Sequence, residues 1–393
     1  MDIKKVIDEH FEDTLRMRRH LHMYPELSFQ EENTKQYIYD ELKDLGLEIR
    51  RDVGGNGLVT RLQVNDDYPT IAFRADFDAL PIEEETDVPF KSKNPGVMHA
   101  CGHDAHTAML ITLQKILVEN KDKLPVNVVA IHQHAEELLP GGAKSMIEDG
   151  ALDGVDYFFG THIASLAPVN QIGWNYSTMY ANADSFTITV NGHGGHGAEP
   201  ENAKDPIVAS ASLISQIQTV VSRSISPLES AVVSLTAFNS GVAFNVIPNK
   251  AEIKGTVRTY EQDIRELAFE RIKDICEGIE KSFGVQIDLD IQWGYPSLKN
   301  DIKMTDYVVG LASNDKSYVE NVVEISPSMG GEDAAYYLQK VPGCYFSTGV
   351  GNVEEGIDIP HHNPLFNIDE SGMKSALEVF LKIALNFDQV KKK

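Results

Sequence analysis

The stretch Thr70-Ile-Ala-Phe-Arg-Ala-Asp-Phe-Asp-Ala-Leu-Pro81 reads as a strand through Ala75 that runs straight into two carboxylates, Asp76 and Asp78. A short apolar run bounded by a turn has the composition of a buried strand, and open α/β sheets hold their ligands at the carboxyl ends of such strands. The same grammar recurs downstream. Val126–Ile131 ends in His132-Gln-His134-Ala-Glu136-Glu137, and Tyr157–Thr161 ends in His162. A helical pattern over 107–120 separates the first of these strands from the second. Strands alternating with helices, each ending in ionisable residues, predict a mostly parallel sheet with helices on both faces and one site along its carboxyl edge.

Two helices precede this sheet, the second from about Glu31 to Leu45, and strand-like segments begin at Gly57. From Asp184 the pattern changes. A strand over 186–190, a helix from about Ala203 to Ser222, strands over 231–238 and 251–259, a helix from about Gln262 to Lys281 and a strand over 285–291 give the order β-α-β-β-α-β. That order is the ferredoxin-like arrangement, of a size suited to one small inserted domain. The expected division is therefore 1–183 and 294–393 for the first domain and 184–293 for the insert. A helix from about Glu370 to Asn386 ends the pattern.

A formal charge of −24 argues against a nucleic-acid partner, because phosphate binding wants a basic face. The one basic run, Lys391–Lys393, reads as a solvated tail. The opening residues form an amphipathic helix without a signal peptide's apolar run, and no stretch is long and apolar enough to span a membrane. Cys101, Cys276 and Cys344 are odd in number and far apart, which fits a reducing compartment better than a disulfide framework. The expectation is a cytoplasmic protein.

Ten of the 13 histidines fall in five short stretches, at 99/103/106, 132/134, 162, 193/196 and 361/362, which points to chemistry rather than to scattered surface positions. The densest is His99-Ala-Cys101-Gly-His103-Asp104-Ala-His106, at the entry to the helix over 107–120. A thiolate and imidazoles suit Zn²⁺, with Mn²⁺, Co²⁺ or Ni²⁺ admissible where carboxylates complete the shell. Gly102 lets the backbone turn between Cys101 and His103. The bland alternative is a polar loop capped by Asp104. A two-metal hydrolytic site needs about five or six protein ligands and a carboxylate left to take a proton. Cys101, His103, Glu136, Glu137, His162 and His362 meet that need. Glu136 and Glu137 would project in different directions from an extended backbone, so that one ligates and the other stays a base. Asp76 and Asp78 are ligands or orienters of a ligating histidine, and the residues alone do not rank the two roles.

Other chemistries fit less well. No G-x-S-x-G elbow exists, and Cys101 as a nucleophile would need one base where the sequence offers a coordination shell. The stretch Gly192-His193-Gly-Gly-His196-Gly197 lacks the Lys and Ser/Thr of a phosphate loop; a histidine there reads equally as an oxyanion donor or a structural turn. Asn245 and Arg258 are further polar candidates in the insert. A metal-dependent binding or sensor protein without catalysis is disfavoured by the paired Glu136 and Glu137.

With these residues laid out, the chain resembles the M20 metallopeptidase and amidohydrolase family, in the branch of aminoacylases, hippurate hydrolases, auxin-conjugate hydrolases and N-acetyldiaminopimelate deacetylases. The motifs are R-R-H-L-H-M-Y-P-E-L-S at 18–28, R-A-D-F-D-A-L-P at 74–81, H-A-C-G-H-D-A-H at 99–106, A-E-E at 135–137, G-H-G-G-H-G-A at 192–198, N-V-I-P at 245–248, M-G-G-E-D at 329–333 and H-H-N-P at 361–364. The resemblance implies two divalent ions bridged by Cys101, with His103 and His162 on one, Glu137 and His362 on the other, and Glu136 as base. His362 is preferred to His361 because it directly precedes Asn-Pro. The resemblance also implies that the insert is a lid and dimerisation domain whose His196, Asn245 and Arg258 reach the substrate's oxyanion and carboxylate, in a homodimer or higher homo-oligomer. Ala334, where the family often has an aromatic, and the extra imidazole of His361 depart from the family's pattern, a difference expected to alter the acyl pocket and not the implied ligands. The expected activity is hydrolysis of the amide of an N-acyl amino acid, with a dipeptidase or aminopeptidase as the alternative.

Overall fold

The computed structural model describes residues 1–387, so the tail expected to be solvated, 391–393, lies outside the described residues. In chain order, α1 (Ile3–Met23) and α2 (Glu32–Leu42) lead to β1 (Glu48–Val53), β2 (Gly57–Leu62) and β3 (Thr70–Asp76). Next come α3 (His103–Glu119), β4 (Asn127–Gln133), α4 (Ala143–Glu148), β5 (Tyr157–Pro168) and β6 (Gln171–Trp174). The middle of the chain forms β7 (Asn182–Asn191), α5 (Pro206–Ile217), β8 (Ala231–Ser240), β9 (Lys250–Thr259), α6 (Gln262–Phe283) and β10 (Gln286–Tyr295). It ends with α7 (Ile302–Ser313), β11 (Asn321–Glu324), α8 (Ala335–Leu338), β12 (Gly343–Gly351) and α9 (Met373–Asn386). Two compact units result. One comprises Met1–Met179, Lys299–Ser326 and the chain from Asp333 onward; the other comprises Tyr180–Leu298 and Pro327–Glu332.

The first unit is built on an eight-stranded sheet in the order β1-β2-β4-β3-β5-β12-β6-β11. Its centre, β4-β3-β5-β12, is parallel. Antiparallel pairs join β1 to β2, β2 to β4 and β12 to β6, while β11 runs parallel to β6. Every residue of β3 and β4 is buried, as expected for strands covered on both faces. Successive side chains of a strand point to opposite faces. Phe158 of β5 stacks on Tyr337 of α8 at 5.0 Å, whereas Phe159 meets Phe387 just past α9 at 6.1 Å, so helices flank the sheet on both sides.

Two local expectations fail for visible reasons. The strand β1 was not anticipated, because Glu48-Ile-Arg-Arg-Asp-Val is an edge strand with mostly exposed, charged side chains. β5 does not stop at Thr161 but continues through His162 to Pro168, pairing along that length with β12. His162 is thus a mid-strand residue.

Helix α3 is buried on nearly all its faces, and it begins at His103 itself rather than at 107. Its N-cap is Gly102, at φ +91°, and a Cβ there would lie 2.0 Å from Cδ1 of Ile163. Only glycine takes that conformation without strain. Asp104 does not cap the helix; it is fully buried and accepts from Arg18 Nε (2.9 Å) and from His22 Nδ1 (2.8 Å).

The second unit is an antiparallel sheet in the order β8-β9-β7-β10 carrying α5 and α6, the ferredoxin-like arrangement. Burial alternates residue by residue along β7, the mark of a sheet packed on one face only. Asp205 caps α5 by accepting from Ile207 N at 2.8 Å, ahead of Pro206. The helix ends at Ile217, short of the expected Ser222, and a π-helical turn over Val220–Ser224 takes over.

Gly102→Ala should lower unfolding stability by about 2–4 kcal/mol, from the left-handed backbone and the collision with Ile163 together. Urea unfolding of the purified variant checks this; an unchanged midpoint would mean the turn tolerates a side chain.

Candidate metal centre

The four central strands of the first unit, β4, β3, β5 and β12, present their carboxyl ends to one edge, and the candidate residues arrive there from different elements. Cys101 and His103 flank the N-cap of α3, and His162 comes from β5. Glu136 and Glu137 follow β4. Their backbone is not extended as expected: the chain leaves the strand at Gln133 and bends through Ala135, whose φ is +52°. His362 also has a left-handed backbone, φ +63°, and its N–H donates to the Ala100 carbonyl at 2.8 Å, tying it to the Cys101 loop.

Donor atoms of Cys101, His103 and His162 lie within 4.8 Å of one another, and so do those of Cys101, Glu137 and His362. The thiol belongs to both groups. Cys101 Sγ is 3.4 Å from His162 Nε2, and His362 Nε2 is 3.2 Å from Glu137 Oε1. Glu136 groups with His103 and Glu137 within the same limit.

Outer contacts fix how these side chains point. His103 Nδ1 is 3.1 Å from Asp78 Oδ1 and 3.0 Å from the Asp78 carbonyl, so a neutral ring donates there and turns the Nε2 lone pair inward. Asp78 Oδ2 also accepts from Ser28 Oγ at 2.7 Å and from Glu137 N at 2.9 Å. His162 Nδ1 donates to the Ile163 carbonyl at 2.7 Å, which leaves Nε2 facing the thiol. This geometry gives Asp78 an orienting place. Asp76 lies deeper, taking His106 Nδ1 at 2.6 Å and Arg74 Nη1 at 2.7 Å, with His103 Nε2 3.6 Å away.

The charges around this space call for a cation. Burial raises the Cys101 thiol well above its usual range, and Glu137, Glu136 and Asp76 push it further. Burial opposes charge on His103, yet Asp76, Asp78 and Glu137 outweigh it and lift the imidazole to about 10. Buried His103 Nε2 and Glu137 Oε1 lack an aligned hydrogen-bond partner. Soft and hard donors with unused lone pairs, crowded around one space, fit a borderline divalent metal.

Other histidines are occupied differently. His106 uses both nitrogens structurally, Nδ1 on Asp76 and Nε2 accepting from Ile163 N at 3.0 Å, and burial lowers it to about 4. His361 Nε2 accepts from Ser165 N at 3.3 Å and its ring packs on Phe366, so the chain turns His362 and not His361 toward Glu137. In the second unit, His196 pairs across a two-residue ladder with Val246, which brings it beside Asn245, whose carbonyl accepts from Gly197 N at 2.9 Å. Arg258 is half-buried on β9, and burial lowers its pKa. The glycine loop's amides at 192, 193 and 194 donate to Asn249 and Lys204, leaving those donors no phosphate to cradle.

A buried network behind the edge was not read from the sequence. Arg74 donates to Asp76, to Gln133 Oε1 (2.9 Å) and to Asp333 Oδ1 (2.8 Å), while Gln133 Nε2 and Ala143 N also donate to Asp333. The available signal was an arginine inside an otherwise apolar strand.

The family model for peptidase family M20/M25/M40 matches residues 72–386. The chain belongs to that family. Its members are hydrolases of amide and peptide bonds. An N-acyl-L-amino acid amidohydrolase of Geobacillus stearothermophilus is 43% identical over 300 residues, 76% of this chain and 81% of that protein. Thermostable carboxypeptidase 1 of Saccharolobus solfataricus is 38% identical, covering 95% of each chain. The crystal structure of the Bacillus subtilis YXEP protein, a dinuclear metal-binding M20 peptidase, superposes with a TM-score of 0.83 at 35% identity, over 96% of this chain and 98% of that one.

Asp78→Asn keeps the shape but places an amide N–H₂ against groups that donate. Divalent-metal affinity should weaken by about ten- to a hundredfold, the scale of losing a partner of a ligating histidine, as read by calorimetric titration.

Proposed function

We propose that the protein is a dinuclear metal-dependent amidohydrolase that cleaves N-acyl amino acids. One observation carries the reading: a single thiol, Cys101, belongs to two three-residue donor groups, with Glu136 close by and in neither. In this reading Cys101 would be shared by the two ions, His103 and His162 would hold one, Glu137 and His362 the other, and Asp76 and Asp78 orient these side chains. Two divalent ions, Zn²⁺ or Mn²⁺ by donor type and with Co²⁺ or Ni²⁺ admissible, would acidify the attacking water and polarise the amide carbonyl.

The chain's own residues do the remaining work. Glu136 accepts the water's proton and passes it to the leaving amine. His196 donates to the developing oxyanion, and Asn245 and Arg258 hold the carboxylate that every N-acyl amino acid presents. The second unit is proposed as a lid and homodimer contact. In support, Leu228, Val242 and Phe244 are almost fully exposed, and β8 is an edge strand among the described residues. A cytoplasmic location belongs to the same reading, supported by three free, buried cysteines. No described helix is long and apolar enough to cross a membrane.

The carboxypeptidase relative favours a second reading, hydrolysis of small peptides. A screen of N-acetyl amino acids against dipeptides with metal-loaded protein separates the two: kcat/KM should be at least about tenfold higher for the acyl amino acids, since a free amine requires an acidic partner. Higher values for dipeptides would replace the first reading by the second.

Glu136→Gln should lower kcat by about a hundredfold or more while metal content by elemental analysis stays at the wild-type level. Loss of metal instead would exchange the roles of Glu136 and Glu137. Phe244→Glu should shift the sedimentation coefficient from dimer toward monomer; an unchanged dimer would move the contact elsewhere.

A further inference from the structure

Glu31 stands at the N-cap position of α2 but does not cap it. Glu26 does that from outside the helix, accepting from Thr34 N at 2.8 Å and from Asn33 N at 3.3 Å. The Glu31 side chain is instead fully buried, with Oε1 accepting from Ala135 N at 2.8 Å and Oε2 from Asn56 Nδ2 at 3.0 Å. Burying a carboxyl away from water is costly unless it is hydrogen-bonded, and both oxygens of Glu31 are. Burial lifts its pKa to about 7, with Asp78 adding to the rise and Asn56 opposing it.

What it holds is the bend before the two glutamates. Ala135, at φ +52°, sits where an L-residue is strained, and its carbonyl accepts from Gly142 N at 3.1 Å. Two residues on, Glu137 N donates to Asp78 Oδ2, which Ser28 Oγ also reaches. The segment from Ser28 to Glu31 therefore pins the Ala135-Glu136-Glu137 turn at both ends, through Asp78 at one and Glu31 at the other.

The geometry points to Glu31 as a positioning residue for the hydrolysis, a buried carboxyl that holds Ala135 in the left-handed conformation and so aims Glu136 at the reacting water. This rests on the role proposed above for Glu136. Misplacing a reacting group by a fraction of an ångström slows chemistry far more than it weakens binding. Glu31 itself bonds to no proposed metal donor, and Glu137 keeps its own tie to Asp78 when Glu31 is lost, so the loss falls on kcat.

The test uses full-length, metal-loaded protein and N-acetyl amino acids. Glu31→Ala should lower kcat by on the order of ten- to a hundredfold, with KM within about twofold and metal content unchanged. Glu31→Gln keeps an acceptor for Ala135 N but sets an amide N–H₂ against Asn56 Nδ2, so its kcat should fall between that of wild type and that of Glu31→Ala. In an Ala135→Gly background, where glycine takes the left-handed conformation unaided, Glu31→Ala should cost clearly less than it does alone. If Glu31→Ala does not fold, Glu31→Asp replaces it, its carboxylate one methylene short of Ala135 N. Unchanged kcat in the shortened variant, a loss confined to KM or metal content, or an equal loss in the glycine background each overturns the inference while wild-type turnover stands. A wild-type protein that hydrolyses neither N-acetyl amino acids nor dipeptides removes the proposed function, and the inference with it.

Discussion

Buried negative charge at the carboxyl edge of the parallel sheet is the constraint on which the first unit depends. Asp76, Asp78 and Glu136 are almost wholly out of water, and Glu137 and the Cys101 thiol lie beside them. Unpaired, such groups would cost several kcal/mol each to keep ionised. The fold answers with Arg74, inside the sheet and shared among Asp76, Gln133 and Asp333, and sets His103 among the carboxylates, with Nδ1 on Asp78 and Nε2 facing Asp76 and Glu137. What remains at the front is a space where positive charge is favoured. A metal centre so built is a property of the whole edge, because the backing that aims the donors is drawn from the segment between the first two helices, from β3 and β4, and from the segment after β11.

Much of this was readable in advance because composition and position agreed. Asp76 and Asp78 after an apolar run, Glu136 and Glu137 after another, and the cluster from His99 to His106 at a helix entry all mark the ends of buried strands and one helix. The β-α-β-β-α-β order of the middle segment was likewise legible, since burial alternates along β7 and α6 is amphipathic. Sequence was less informative where tertiary contacts override local preference. Glu48–Val53 carries the charges of a loop and pairs as an edge strand, and His162 lies mid-strand because β12 zips along β5 beyond it.

The side chains that sequence could not place share one trait: each is charged, buried and far in sequence from its partner. Arg18 meets Asp104 and Glu370, Arg74 meets Asp333, and Glu31 meets Ala135. Periodicity speaks for residues that pack by hydrophobicity and is silent about a glutamate that turns inward from a helix start. Residues 18–28 and 329–333 stood out as motifs, but their work became visible only once the buried network joined Arg18 and Asp333 to the edge.

The slot filled by β12 also bears on how the chain is made. β12 lies between β5 and β6 at the heart of the eight-stranded sheet, yet it emerges from the ribosome only after the entire second unit has been synthesised. Until then β5 has an open edge, the core lacks α9, and the carboxylates behind the future centre have no Asp333 to complete their network. The ferredoxin-like unit meets no such delay, because its four strands and two helices leave in one run. The nascent protein therefore carries a nearly finished second unit beside a first that waits with an unpaired strand, the kind of intermediate that chaperones hold and that aggregates when left exposed.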